Sequence, residues 1–426
     1  MLFAEEFLHY VWQHRLFSQN NLINCEGQTI HVLSTGILNA NAGPDFNNAK
    51  VIINKTTWAG NVEIHIKSSD WQRHKHHLDK AYDSVILHVV WENDANVYRT
   101  NGTLIPTLSL KNLVNPKLIS QYQYLKTNQN WIPCEQQLPL INPFITQQWL
   151  QRVLVERLEQ KANAILQLNQ QLVGNWEETF YVILAQNFGF KVNALPFNML
   201  AQSLPQQIMA KHKNNTTQIE ALIFGQAGFL SGNFFEDYPQ KLKKEYAFLQ
   251  QKYGLKPLDK TLWKFSKMRP NNFPTIRLAQ FAAVVCASTH LFSKILEASN
   301  IKSIKALFTD AKINHYWQTH FHFDIATPPS NKKLGEKSLD LIIINTIAVI
   351  TFCYGKQIAN EAYVNFALNL IEGIKPEKNS IVENFKRLGI NALNAYDSQA
   401  LIHLKNNYCD QKKCLHCGIG NKILNS

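Results

Sequence analysis

The sequence predicts an α+β protein, in which a compact region near residues 1–135 with the element order α-β-β-β-α-β precedes a mostly α-helical region over 136–426. Three observations predict it. Residues 29–91 contain short runs with two-residue apolar alternation; from Ile145 onward the apolar residues recur at helical spacing; and the charge is divided unequally between the two parts. With 426 residues the chain exceeds the size at which a single core keeps growing, so more than one domain is expected.

The first helix is expected over residues 4–17, where Phe7, Leu8, Val11, Trp12 and Leu16 share one face and Glu5 and Glu6 occupy the first turn, the favourable place for acids. Three strands follow, Thr29 to Ser34, Ala49 to Asn54 and Asn61 to Lys67, separated by the turn-rich GILNANAGPD and KTTWAG. The segment SSDWQRHKHHLDKAYDS reads as a helix capped by Ser69 or Asp70, and Val85 to Trp91 as a buried strand. Residues 93–140 read as a loop-rich link with one further strand at Thr103 to Leu110. In the helical part, Leu150, Val153, Leu154, Leu158, Ala162, Ile165 and Leu166 make the clearest stripe.

Composition narrows the function. A formal charge of +12 comes from 43 basic and 31 acidic residues. Residues 1–135 hold 11 of each, leaving 32 basic against 20 acidic in the helical part. A basic helical body suits an anionic partner, nucleic acid first, although a solubilising surface has the same composition. No apolar stretch approaches the roughly 20 residues that span a bilayer, and the acids near the start do not suit a signal peptide, so a cytoplasmic protein without membrane association is expected.

Eight of the fifteen histidines fall in the first region. Strict alternation in NVEIHIK puts Val62, Ile64 and Ile66 on one face and Glu63, His65 and Lys67 on the other. Upstream, Gly43 and Pro44 fix a turn from which Asp45 projects. Two carboxylates from adjacent strands can hold Mg²⁺ or Mn²⁺, and a basic group beside them can orient or deprotonate an attacking water.

Pro44-Asp45 followed by Glu63-Ile64-His65 on the third strand of an α-β-β-β-α-β unit resembles the nuclease core named for its PD-(D/E)XK motif, over roughly residues 4–92. The resemblance implies a nuclease-like fold and a Mg²⁺- or Mn²⁺-dependent nuclease, a phosphodiesterase acting on nucleic acid, with Asp45 and Glu63 as metal ligands. It also implies that an acid of the first helix, Glu6 or its neighbour Glu5, completes the site. His65 stands at the lysine position of that motif and Lys67 follows two residues later, so either takes the catalytic role. With histidine there, the step becomes sensitive to pH near neutrality. The departure equally suits an inert core in a nucleic-acid-binding or scaffold protein. GPDF, GNVEIH, DWQRHKHH and LHVVW also resemble an uncharacterised bacterial family known only as a domain of unknown function.

If SSDWQRHKHHLDKAYDS is one helix, Asp70, His74 and His77 share a face and His76 points elsewhere. That face either neighbours the nuclease site or forms a zinc site with an open position for water, the basis of a zinc-hydrolase alternative. His88, inside VILHVVW, reads as a hydrogen-bonded core histidine.

Cys409, Cys414 and Cys417 form a C-x4-C-x2-C run that suits zinc or an iron–sulfur cluster as a structural metal site. The fourth ligand is His416, His403 or Cys134. The Cys134 arrangement resembles the iron–sulfur staple of some helicase-associated nucleases. In the helical body, Phe224 to Phe229 is glycine-rich but reads as close helix packing. Arg269 and Arg277 flank a proline-led helix start that reads either as a phosphate seat or as a structural cap.

Overall fold

The computed structural model describes residues 3–288 and 290–426, and the chain divides into two units: Met1–Trp149 with Leu404–Ser426, and Leu150–His403. This differs from the expected division at 135, because the last 23 residues, cysteine run included, join the first unit.

In the first unit, helix α1 (Glu5–Gln13) buries Phe7, Leu8, Tyr10, Val11 and Trp12. It ends before the expected Phe17 because Arg15 takes a left-handed φ of 52°, which no helix continues through. The sheet contains β1 (Ile30–Ser34), β2 (Ile37–Leu38), β3 (Phe46–Ile53), β4 (Thr56–Lys67), β5 (Val85–Glu92) and β6 (Thr107–Ser109). Its order is β1-β3-β4-β5-β6, with β2 also paired to β3. β3 runs antiparallel to both of its neighbours, β1 and β4, whereas β5 runs parallel to β4 and β6 parallel to β5.

Most of KTTWAG is strand rather than turn. Asn54, at φ 56°, turns the chain, and Ile53 already pairs with Thr56. Gly60 serves packing instead: a Cβ there would stand 2.5 Å from the Ile86 side chain and 2.7 Å from the Ser84 carbonyl oxygen.

A parallel step from β4 to β5 needs a crossover. The expected continuous helix does not supply it. A single turn, α2 (Asp70–Arg73), is broken at Lys75, whose φ is 63°, and two short 3₁₀ turns follow at His76–Leu78 and Lys80–Tyr82. The link after β5 holds a helix that its polar composition concealed, α3 (Pro116–Thr127). Asn115 caps it by accepting from the Lys117 N–H, and Pro116 stands at its first position.

Helix α4 (Pro143–Gln171) carries the chain from the first unit into the second, where Leu150, Val153, Leu154, Leu158, Ala162 and Ile165 of its stripe are buried. The glycine-rich stretch packs closely: a Cβ on Gly225 would meet the Tyr246 ring at 2.0 Å. One helical run, Glu336–Gln357, corrects the expectation about apolar length. It has 22 residues and is long and apolar enough to cross a membrane, but 72% of its apolar window is buried, as in the core helix of a folded domain.

Candidate metal centre

Antiparallel pairing sets Phe46 opposite Val62, which brings the chain entering β3 beside the middle of β4. Two reciprocal hydrogen bonds lock the acids there. The Asp45 N–H donates to Glu63 Oε2 at 3.1 Å, and the Ile64 N–H donates to Asp45 Oδ2 at 2.9 Å. The expected pair of strand carboxylates therefore stands side by side, near enough for the charge of Asp45 to raise the pKa of Glu63.

Two groups of donors flank the pair. On one side Glu5, His9 and Asp45 offer ligand atoms within 4.8 Å of one another, with His9 Nε2 3.3 Å from Asp45 Oδ2 and 3.9 Å from Glu5 Oε1. On the other side His65, His74 and His76 form a second such group. Glu63 joins the two: its Oε2 faces Asp45, while its Oε1 lies 3.3 Å from His76 Nε2 and 3.6 Å from His65 Nε2.

The local fold explains which histidines enter. The left-handed Lys75 turns the chain so that His76 is buried, stacked on Tyr82 at 3.8 Å and edge-on to Trp71 at 5.3 Å. His77 is left outside the cluster, and Asp70 is spent on the turn, accepting from the Lys67 N–H at 3.1 Å and pairing with Arg73 at 2.9 Å. The expected trio of Asp70, His74 and His77 thus contributes only His74. Asp94 fastens the same turn through the Ser69 N–H at 2.8 Å and the Ser68 hydroxyl at 3.0 Å. His88 takes the core role expected of it: its Nε2 is 2.8 Å from His65 Nδ1, while His65 Nε2 lies 3.2 Å from His74 Nδ1. One partner thereby fixes the ring of His65 and leaves its other nitrogen toward the cluster, as metal-ligating imidazoles are commonly held.

Burial, then the charge of Asp45, pushes Glu5 up to about 7. Burial also raises Glu63, partly offset by its hydrogen bond with His76 and reinforced by Asp45. Burial would lower His9, but Asp45, Glu5 and Glu63 outweigh it and hold its pKa above the ordinary value. Burial and the neighbouring histidines push His65 down to about 2, and burial pushes His88 down to about 3. His65 is therefore neutral throughout the physiological range, and the pH sensitivity expected of it does not come from its own titration.

The other expected site residues are spread more widely. Glu6 lies about 100° around α1 from Glu5 and turns away from the acids. Its oxygens meet His416 Nε2 at 3.1 Å and Lys126 Nζ at 3.6 Å, so Glu5, not Glu6, is the helix-one acid beside Asp45. Lys67 is exposed at the end of β4. Arg269 is exposed, whereas Arg277 is buried and donates to Asn272 at 2.6 Å, Gln280 at 2.8 Å and Ser338 at 3.0 Å. Arg277 also stacks 4.4 Å from the Phe190 ring centre and is pushed down to about 10 by burial, so its guanidinium is engaged within the fold. Cys134, Cys414 and Cys417 are buried and Cys409 is partly so. His9 and His76 were the site residues that sequence reasoning missed. The spacing of Glu5 and His9 at i and i+4 on a helix was a usable signal for the first; nothing local announced the second.

Fold and site together define an α+β protein whose mixed sheet presents a histidine–carboxylate cluster. The chain belongs to the family described as "Protein of unknown function (DUF2851)", whose model matches residues 5–380. No curated protein and no solved structure matches it.

Proposed function

We propose that this protein is a metal-dependent phosphodiesterase acting on nucleic acid. The observation that carries the reading is the locked pair Asp45 and Glu63 on adjacent strands, with a further donor group on each side. A divalent cation bound there supplies a water of lowered pKa and stabilises charge developing at phosphorus. Glu5, His9 and Asp45 hold one cation; Glu63 reaches toward both groups and positions them relative to each other. Their mixed nitrogen and oxygen donors suit Mn²⁺ better than Mg²⁺, which prefers oxygen and water. Glu5, His9 and Asp45 are only half-buried and His74 is exposed, so a substrate phosphate has a way in. Lys67 stands at the exposed end of the same strand face to offset phosphate charge, and the excess of basic residues beyond residue 135 favours a polyanionic substrate.

A second reading rests on His65, His74 and His76, because three imidazoles with a carboxylate make a set suited to zinc. The protein is then a zinc hydrolase, with the histidines as ligands and Glu63 beside the bound water. One experiment addresses both. The full chain is incubated with linear and circular DNA and RNA under Mg²⁺, Mn²⁺, Zn²⁺ or chelator, beside Asp45→Ala, Glu63→Ala and His74→Ala. Cleavage under Mn²⁺ or Mg²⁺ that Asp45→Ala and Glu63→Ala abolish supports the phosphodiesterase. Cleavage that needs Zn²⁺ and disappears in His74→Ala supports the second reading. Salt-dependent binding without cleavage under every metal overturns both in favour of an inert binding or scaffold protein.

A further inference from the structure

The cysteine run at the end of the chain is not used by the site above, and its surroundings are those of a second, separate centre. Lys412, between Cys409 and Cys414, extends its ammonium to the carbonyl oxygens of Lys126 at 2.7 Å and Asn128 at 2.9 Å, at the end of α3. Asn128 in turn donates to the carbonyl oxygen of Pro133 at 2.9 Å, immediately before Cys134. These bonds fold the loop carrying Cys134 against the C-terminal run. The run is itself tightly wound: the Lys412 N–H donates to the Cys409 carbonyl at 3.1 Å and the Cys417 N–H to the Cys414 carbonyl at 3.3 Å. Gly420 permits that winding, since a Cβ there would stand 2.2 Å from the Cys414 carbonyl oxygen. Gly418 lies against the Trp149 ring, where a Cβ would approach to 2.7 Å.

All four thiols are free, three of them buried. The N–H groups of Ile419 and Gly420 donate to Cys417, and Lys126 and Lys412 stand near Cys414. Ligation would hold the sulfurs as thiolates, their charge offset by the bound metal. The histidines that competed for the fourth place are engaged elsewhere, His416 with Glu6 at 3.1 Å and His403 with Glu156 at 3.3 Å.

Spacing argues against a preformed zinc site. Tetrahedral zinc with sulfurs about 2.3 Å away holds its four thiolates about 3.8 Å apart. Among the described residues, these sulfurs do not form a set of three or more within 4.8 Å of one another. A cubane cluster needs the wider cage, because each cysteine ligates a different iron at the corner of a cube. We propose that Cys134, Cys409, Cys414 and Cys417 ligate a [4Fe–4S] cluster that ties the C-terminal segment to the loop after α3. The tie also reaches α1 through His416 and Glu6, so the cluster supports the helix that carries Glu5 and His9. This inference is independent of the reaction proposed for the sheet.

The test is to purify the full chain without oxygen and measure iron, acid-labile sulfide, zinc and visible absorption, with Mössbauer spectra of the iron-labelled protein. About four irons and four sulfides per chain are expected, with the spectrum of a cubane. About one zinc without sulfide, or thiols without metal, overturns the proposal. Cys134→Ser and Cys414→Ser should lose the visible band, whereas Cys286→Ser and Asp45→Ala keep it. If the first two variants do not fold, the wild-type iron, sulfide and Mössbauer values still decide. A full cluster in soluble Cys134→Ser overturns the assignment of the fourth ligand.

Discussion

The two units bury polar groups in different ways. In the helical unit Arg277 is satisfied by neutral partners, Asn272, Gln280 and Ser338, and Glu220 by Asn314 at 3.1 Å, while His320 and His403 each meet a single glutamate. In the sheet unit Glu5, His9, Asp45, Glu63, His65, His74 and His76 are aimed at one another. A buried amide beside a charge only satisfies it. Titratable groups that face one another raise or lower each other's pKa, and only a cation or a proton settles them together, so convergence rather than burial marks the site.

The comparison is tested most sharply by removing one charge from each unit. Glu63→Gln should lower the cleavage rate at least about 100-fold while changing unfolding free energy little, because the amide keeps the shape and one acceptor oxygen. Arg277→Met should do the reverse. It strands three hydrogen-bonding partners, costs about 3 kcal/mol in denaturant unfolding, and leaves specific activity unchanged. Loss of activity at unchanged stability in Arg277→Met would place function in the helical unit after all.

Glu220 gives a smaller, pH-dependent contrast. Burial raises its pKa from 4.5 to about 7, against the opposing hydrogen bonds of Asn314 and Tyr238. Its contribution to stability is full below pH 4.5 and is lost as pH rises through about 7, because the folded state holds the proton longer than the unfolded one. Glu220→Gln does not titrate. It should therefore gain stability relative to the parent between pH 5 and pH 8, by up to about 3 kcal/mol, read from paired thermal and urea unfolding. An equal difference at both pH values contradicts the assignment.

The finest contrast lies within one tripeptide. His76→Ala should weaken Mn²⁺ or Zn²⁺ binding about 10- to 100-fold by calorimetry, and His77→Ala should not. Equal losses would mean that the segment forms the continuous helix its sequence suggests.

Much of the first unit was legible along the chain because strand alternation and helix periodicity are local properties. The first helix, strands at Ile30–Ser34, Phe46–Ile53, Thr56–Lys67 and Val85–Glu92, and the buried place of His88 follow from them. The segment Asp70 to Tyr82 was not legible. Its polar residues satisfy a helical pattern, but the bonds from Asp94 and from the Tyr98 carbonyl, which the Trp71 indole N–H meets, come from residues distant in sequence. They favour a left-handed Lys75, and that one dihedral exchanges His77 for His76. α3 was hidden for a related reason, its helix resting on an asparagine cap and tertiary burial more than on a strong apolar stripe.

By itself, the sequence determined which residue types were available and which elements would carry them: acids at the mouth of one strand and the middle of the next, histidines around them, and thiols near the end. The tertiary structure decided which of these meet. It chose Glu5 over Glu6, His76 over His77, and a place for the C-terminal cysteines with the first unit. The reason is physical: periodicity fixes the face on which a side chain stands, while its partner across space depends on turns and packing set by residues far away in the chain.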